Sequence, residues 1–166
     1  MKSQIVSFLM IVLSTNDSFS QVESKSFDIL LKSMLKNTVT KISVKELIPK
    51  IDKVVLLDAR EPQEYEVSHL KNAKFVGFNQ FNINTLQDIP KNSEIVVYCS
   101  IGVRSEKIGE KLKAAGYTNV KNLYGSIFEW VNQGNQVFDT QNHPTKKVHA
   151  FNKKWGIWLN KGEKVY

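Results

Sequence analysis

Glu94-Ile95-Val96-Val97-Tyr98 runs directly into Cys99-Ser100-Ile101-Gly102-Val103-Arg104-Ser105, and this stretch decides the fold. Apart from Glu94 the first five residues are apolar, as in a strand covered on both faces of a parallel sheet. From Gly102 to Ala115 the composition is helical, and Gly116 suits the position just past a helix end. Outward from this unit, Val54–Leu57 is a second apolar run, and Ala73–Phe78 and Val120–Leu123 read as further strands. Ser26 is expected to cap a helix that places Phe27, Leu30, Leu31, Met34 and Leu35 on one face. Ser43 and Glu46 have capping-box spacing for a short helix disturbed by Pro49. Pro62 opens another helix, and Ser126 caps one carrying Ile127, Trp130 and Val131, ended by Gly134. Strands alternating with helices give an α/β fold with a central, mostly parallel sheet flanked by helices on both faces.

The chemistry falls in the loop. A strand, tight loop and helix aim consecutive backbone N–H groups and the positive end of a helix dipole at one point, which binds anions and lowers a thiol pKa. Gly102 can take a left-handed conformation, and Arg104 adds positive charge. A buried, inert cysteine at a strand end is the plain alternative. The glycine and arginine at this spacing favour a nucleophilic thiolate.

Composition narrows the function. The chain has 166 residues, one cysteine and three histidines, so neither an internal disulfide nor a multi-cysteine zinc site can form. The net charge is +7, yet only Arg60 and Arg104 are arginines, against the usual composition of nucleic-acid binders. Residues 144–166 hold six lysines and one acid, Glu163. This basic stretch also carries Phe151, Trp155 and Trp158. Val148–Phe151 is expected as an edge strand and Lys153–Lys161 as a helix capped by Asn152, with the tryptophans as packing residues.

Lys2, the uncharged run Ile5–Leu13 and the small residues Ser18 and Ser20 follow one another as the three regions of an export signal, with cleavage before Gln21. The run is too short to span a bilayer, which takes about 20 residues. A buried N-terminal helix or strand is the alternative. The organisation is therefore a signal peptide over 1–20, an amphipathic helix over 21–40, a catalytic domain over 41–139 and a basic, tryptophan-containing extension over 140–166. The mature protein is expected in the periplasm or outside the cell, without stable membrane insertion and without nucleic acid as a partner.

Four motifs in order resemble the single-domain rhodanese (sulfurtransferase) family. Leu57-Asp58-Ala59-Arg60-Glu61-Pro62-Gln63-Glu64-Tyr65 is similar to its first signature and His69-Leu70-Lys71-Asn72-Ala73 to the next. Cys99–Ser105 resembles the active loop, and Leu123-Tyr124-Gly125-Ser126-Ile127-Phe128-Glu129-Trp130 the closing motif. Ser68, Lys71, Asn72 and Ser126 depart from the family pattern, in turns expected to lie away from the cysteine loop. The resemblance implies Cys99 as nucleophile at the base of a shallow pocket, with Ser100, Ile101, Gly102, Val103, Arg104 and Ser105 holding the substrate. It implies a Cys99 persulfide, a small anionic donor such as thiosulfate, and cyanide, a thiol or a protein as acceptor. No cofactor or metal is called for. Asp58, Arg60 and His69 are expected as scaffold. Two other readings stay open: a rhodanese-like binding or sulfur-carrier module with little turnover, and a cysteine-dependent phosphatase or arsenate reductase. The last uses a loop one residue longer before its arginine.

Overall fold

The computed structural model describes residues 22–166; the expected signal peptide lies outside these residues. The elements run α1 (Lys25–Met34), β1 (Thr40–Ile42), α2 (Val44–Leu47), β2 (Val55–Asp58), α3 (Pro62–Val67), β3 (Lys74–Phe75), β4 (Glu94–Tyr98), α4 (Val103–Ala114), β5 (Asn119–Leu123) and α5 (Ser126–Asn132). A second group follows: β6 (Val137–Phe138), β7 (Pro144–Thr145), β8 (Lys147–His149), α6 (Lys153–Gly156) and β9 (Glu163–Val165).

The central sheet has the order β1-β5-β4-β2-β3, and every pairing in it is parallel. Alternation along its strands feeds two apolar cores. Leu56, Val96 and Tyr98 face the core that receives α1, α2 and α5. Leu57, Ile95 and Val97 face the opposite core, closed by Ile108 and Leu112 of α4. Both faces are covered, as the unbroken apolar runs of β2 and β4 require.

Local chemistry explains most element ends. Ser43 and Glu46 form the expected capping box, and Pro49 turns the chain into a 3₁₀ segment, Ile48–Lys53. Gly116 lies beyond α4 at φ +89°. Four expectations are corrected. The cap of α1 is Ser24, whose hydroxyl accepts from the Phe27 N–H at 3.3 Å, so the helix begins earlier than Ser26 implies. The strand expected over Ala73–Phe78 is reduced to Lys74–Phe75, because the Val76 and Gly77 amides both turn to the Asp58 carbonyl. Gly125, not Ser126, occupies the cap position of α5.

The fourth correction concerns the extension. Its helix stops at Gly156 instead of continuing to Lys161. The reason is tertiary. Buried Asn132 donates to the Trp158 carbonyl at 2.9 Å and accepts from the Asn160 and Lys161 amides at 2.7 and 3.3 Å, claiming groups a helix would need. The chain then returns as β9, parallel to β8. Trp158 stacks on Phe27 with ring centroids 5.5 Å apart, and Val148, Ala150 and Leu159 are buried in the same core as α1. Residues 140–166 thus pack against the domain.

Candidate active site

Cys99 follows the last residue of β4, and α4 begins at Val103, with Gly102 as its cap at φ +120°. That dihedral favours glycine. It turns the Gly102 N–H back onto the cysteine, 3.1 Å from Sγ. Ser105 Oγ lies 3.5 Å from Sγ and 2.7 Å from Asn122 Oδ1. A hydroxyl has one proton, and the shorter contact takes it. Burial disfavours the Cys99 thiolate; the charge of Arg104, the Ser105 group and the Ser105 and Gly102 amides outweigh it, so the thiol lies below its ordinary range. Of these, the arginine and the amides carry the effect.

The expected substrate-binding residues divide into two sets. Ser100, Ile101, Val103 and Arg104 line a cavity of about 160 Å³ that also reaches Cys99. Gly102 and Ser105 are not among its lining residues: the Gly102 N–H contacts the sulfur, and both residues join the loop to β5 through Asn122. Asn122 of β5 donates to the Gly102 carbonyl at 2.9 Å and so fixes its own orientation toward Ser105. Cys99 itself is 1% exposed, so the cavity is its approach.

Arg104 is not a free charge. Its two terminal nitrogens donate to Glu64 at 2.6 and 2.7 Å, and one also donates to Ser100 Oγ at 2.9 Å. The Ser100 hydroxyl in turn donates to Glu64 at 3.0 Å, and the Glu61 N–H completes the carboxylate's partners at 3.0 Å. Burial pushes the Glu64 carboxyl up, and the paired guanidinium more than reverses this, leaving it below the usual range. In the sequence Glu64 is readable only as one residue of the first motif; its link to Arg104 is tertiary.

Ser126 overturns the expectation that the family departures avoid the cysteine loop. Its hydroxyl accepts from the Cys99 N–H at 3.1 Å and donates to the Leu123 carbonyl at 3.2 Å. Its φ of +53° explains why glycine fits the pattern there. The first amides of α5 complete the grip: Ile127 N–H and Phe128 N–H donate to the Cys99 and Ser100 carbonyls, each at 3.2 Å.

Asp58, Arg60 and His69 are scaffold. Arg60 and Asp58 form a fully buried ion pair at 2.6 Å, and the same Arg60 nitrogen donates to the Ser68 carbonyl at 2.6 Å. His69 stacks on Tyr65 at 4.0 Å between centroids and bridges to Phe138.

The extension contributes to the site. Trp155 and Phe151 line the cavity over Cys99 together with Met34 of α1. The Phe151 ring lies 5.1 Å from the Arg104 guanidinium. Trp158 is a packing residue, as expected; Trp155 has a second role.

A sheet of this order with a cysteine loop at the C-terminal end of its middle strand defines a rhodanese-type fold. The rhodanese-like domain model matches residues 41–133, and the chain belongs to that family. A protein named sulfurtransferase from Allochromatium vinosum is 30% identical over 98 residues, spanning 59% of this chain and 91% of that protein. The probable adenylyltransferase/sulfurtransferase MoeZ of Mycobacterium tuberculosis is 29% identical over 98 residues, 58% of this chain and 25% of its own length. The chain therefore spans about a quarter of that larger relative. Among solved structures, a rhodanese-related protein from Thermoplasma volcanium aligns at TM-score 0.54 and 24% identity, over 59% of this chain and 96% of that one. A thiosulfate sulfurtransferase from Pseudomonas aeruginosa aligns at TM-score 0.58 and 20% identity, over 84% of this chain and 26% of that one. At these identities the structures speak to fold alone.

Proposed function

We propose that the protein is a sulfurtransferase acting through a Cys99 persulfide. The observation that carries this reading is the buried Cys99 sulfur, 3.1 Å from the Gly102 N–H and depressed in pKa by Arg104 and the loop amides. The thiolate attacks the outer, sulfane sulfur of a donor. With thiosulfate, its electron pair forms the new S–S bond, the donor's S–S bond breaks, and sulfite leaves with that bonding pair. An acceptor nucleophile, such as cyanide, a thiol or a protein, then takes the outer sulfur and returns Cys99 as thiolate. With cyanide or a thiolate as the acceptor no proton transfer is needed at either step, consistent with Asp58, Arg60 and His69 being engaged in scaffold contacts. The sulfurtransferase names carried by relatives in Allochromatium and Mycobacterium support the same reading.

The test is sulfur transfer from a sulfane donor to cyanide by wild type and Cys99→Ser. Thiocyanate formed by wild type and lost to a few per cent in the variant is the expected result. Equal rates contradict the covalent route. A persulfide that forms on Cys99 but is consumed by no acceptor indicates a carrier rather than a turnover enzyme. We also propose export, on the strength of Lys2, Ile5–Leu13 and the small residues before Gln21. Fractionation with N-terminal sequencing checks it: a start near Gln21 outside the cytoplasm is expected, and a cytoplasmic protein starting at Met1 contradicts it.

A further inference from the structure

The polar groups at the mouth of the site are largely committed to one another. Both terminal nitrogens of Arg104 go to Glu64, the Ser100 hydroxyl goes to the same carboxylate, and the positive charge is matched by a negative one. A dianionic head group meets little unspent positive charge there. The remaining walls, Met34, Ile101, Val103, Phe151 and Trp155, are apolar. The cavity of about 160 Å³ is ring-sized, since an apolar cavity of about 150 Å³ admits benzene.

Phe151 supplies an independent sign. Its backbone has φ +64°, in a three-residue turn closed by the Asn152 N–H on the Ala150 carbonyl at 2.8 Å. That turn is rare and strained for a bulky residue. Burial does not explain it, because Phe151 is 45% exposed. The strain holds an aromatic ring beside Arg104 at the cavity wall, and strain of this kind gathers at ligand clamps.

We propose that Phe151 and Trp155 set the donor specificity of Cys99, selecting a sulfane sulfur borne on an apolar, ring-sized group over thiosulfate. This rests on the sulfur-transfer reading of Cys99. An aromatic thiosulfonate represents the class. The Cys99 thiolate bonds to the terminal sulfur, the S–S bond breaks, and the aromatic sulfinate leaves with the bonding pair; total charge is unchanged.

The experiment measures single-turnover sulfuration of Cys99 in the full chain with benzenethiosulfonate, methanethiosulfonate and thiosulfate. Each rate is divided by that of a free small thiol, which removes differences in leaving-group reactivity. Wild type is expected to favour the aromatic donor over both others by about tenfold or more, the scale of burying a few methylene equivalents. Phe151→Ala and Trp155→Ala are expected to lose most of that preference, slowing the aromatic donor about fivefold or more beyond any change in the methyl donor. Phe151→Leu, which keeps an apolar wall, should retain part of it. Normalised ratios near one in wild type, or equal losses on all donors in the variants, overturn the proposal. Sulfur on Cys99 from none of the three overturns the sulfur-transfer reading itself, and the proposal with it.

Discussion

Glu64→Gln removes one negative charge from the site while keeping the side chain's shape. The carboxylate accepts from both terminal nitrogens of Arg104, from Ser100 and from the Glu61 amide. A glutamine oxygen can serve Ser100 and one arginine nitrogen. Its amide nitrogen then faces the other arginine nitrogen and the Glu61 N–H, donor against donor. The pair is well shielded, with Glu64 and Arg104 side chains 1% and 17% exposed. Removing one partner of a buried ion pair costs about 3–5 kcal/mol. Glutamine keeps part of the network, so about 3 kcal/mol is expected, a fall in Tm of about 6–12 °C. Urea and thermal unfolding at neutral pH read this directly. The pH dependence has a definite sign. The folded carboxyl titrates below its ordinary value, so its contribution is present above the unfolded pKa of about 4.3 and disappears as pH falls through the folded one. The variant should therefore be weakened at neutral pH and approach wild type in acid. Arg104, no longer offset, should also lower the Cys99 pKa further, seen as faster alkylation below neutral pH. Stability within about 0.5 kcal/mol of wild type at pH 7, or a raised thiol pKa, would refute the reasoning.

Arg104→Ala should do the opposite to the thiol. It removes the positive charge and strands the Glu64 carboxylate, so the pH–alkylation profile of Cys99 should move upward; an unmoved profile means the loop amides suffice. Ser126→Ala should cost about 1–3 kcal/mol in denaturant unfolding, because the buried Cys99 N–H loses its acceptor while the strained backbone remains. Ser126→Gly should cost less, since the φ of +53° is then relaxed. Gly102→Ala should destabilise by about 1–3 kcal/mol through its backbone alone. The added Cβ would meet Leu35 and Asn122 only at 3.5 and 3.6 Å, so there is room for it.

The parts of this site that are local in the chain are legible in the sequence itself. The β4–loop–α4 unit follows from an apolar run, a glycine and a helix-forming stretch, and Glu94–Tyr98 is the strand observed. Gly102 is readable because one residue's dihedral decides the turn. Glu64 is not, since its meaning comes from an arginine forty positions on in the chain. Ser126 escapes a local reading for the same reason: its hydroxyl reaches a strand end that only the sheet brings near. The extension shows tertiary structure overriding pattern. Trp155, Trp158 and Leu159 have helical spacing, yet Asn132 takes the backbone groups that would have continued the helix. The aromatic wall over Cys99 follows from that fold-back and has no signature in the sequence.

Passage of sulfur through Cys99 is tested most directly by intact mass spectrometry of the full chain after incubation with benzenethiosulfonate or thiosulfate, followed by peptide mapping. One additional sulfur atom per chain, mapped to Cys99, discharged by cyanide and absent from Cys99→Ser, is the predicted result. An unchanged mass with both donors, or sulfur located elsewhere in the chain, would contradict it.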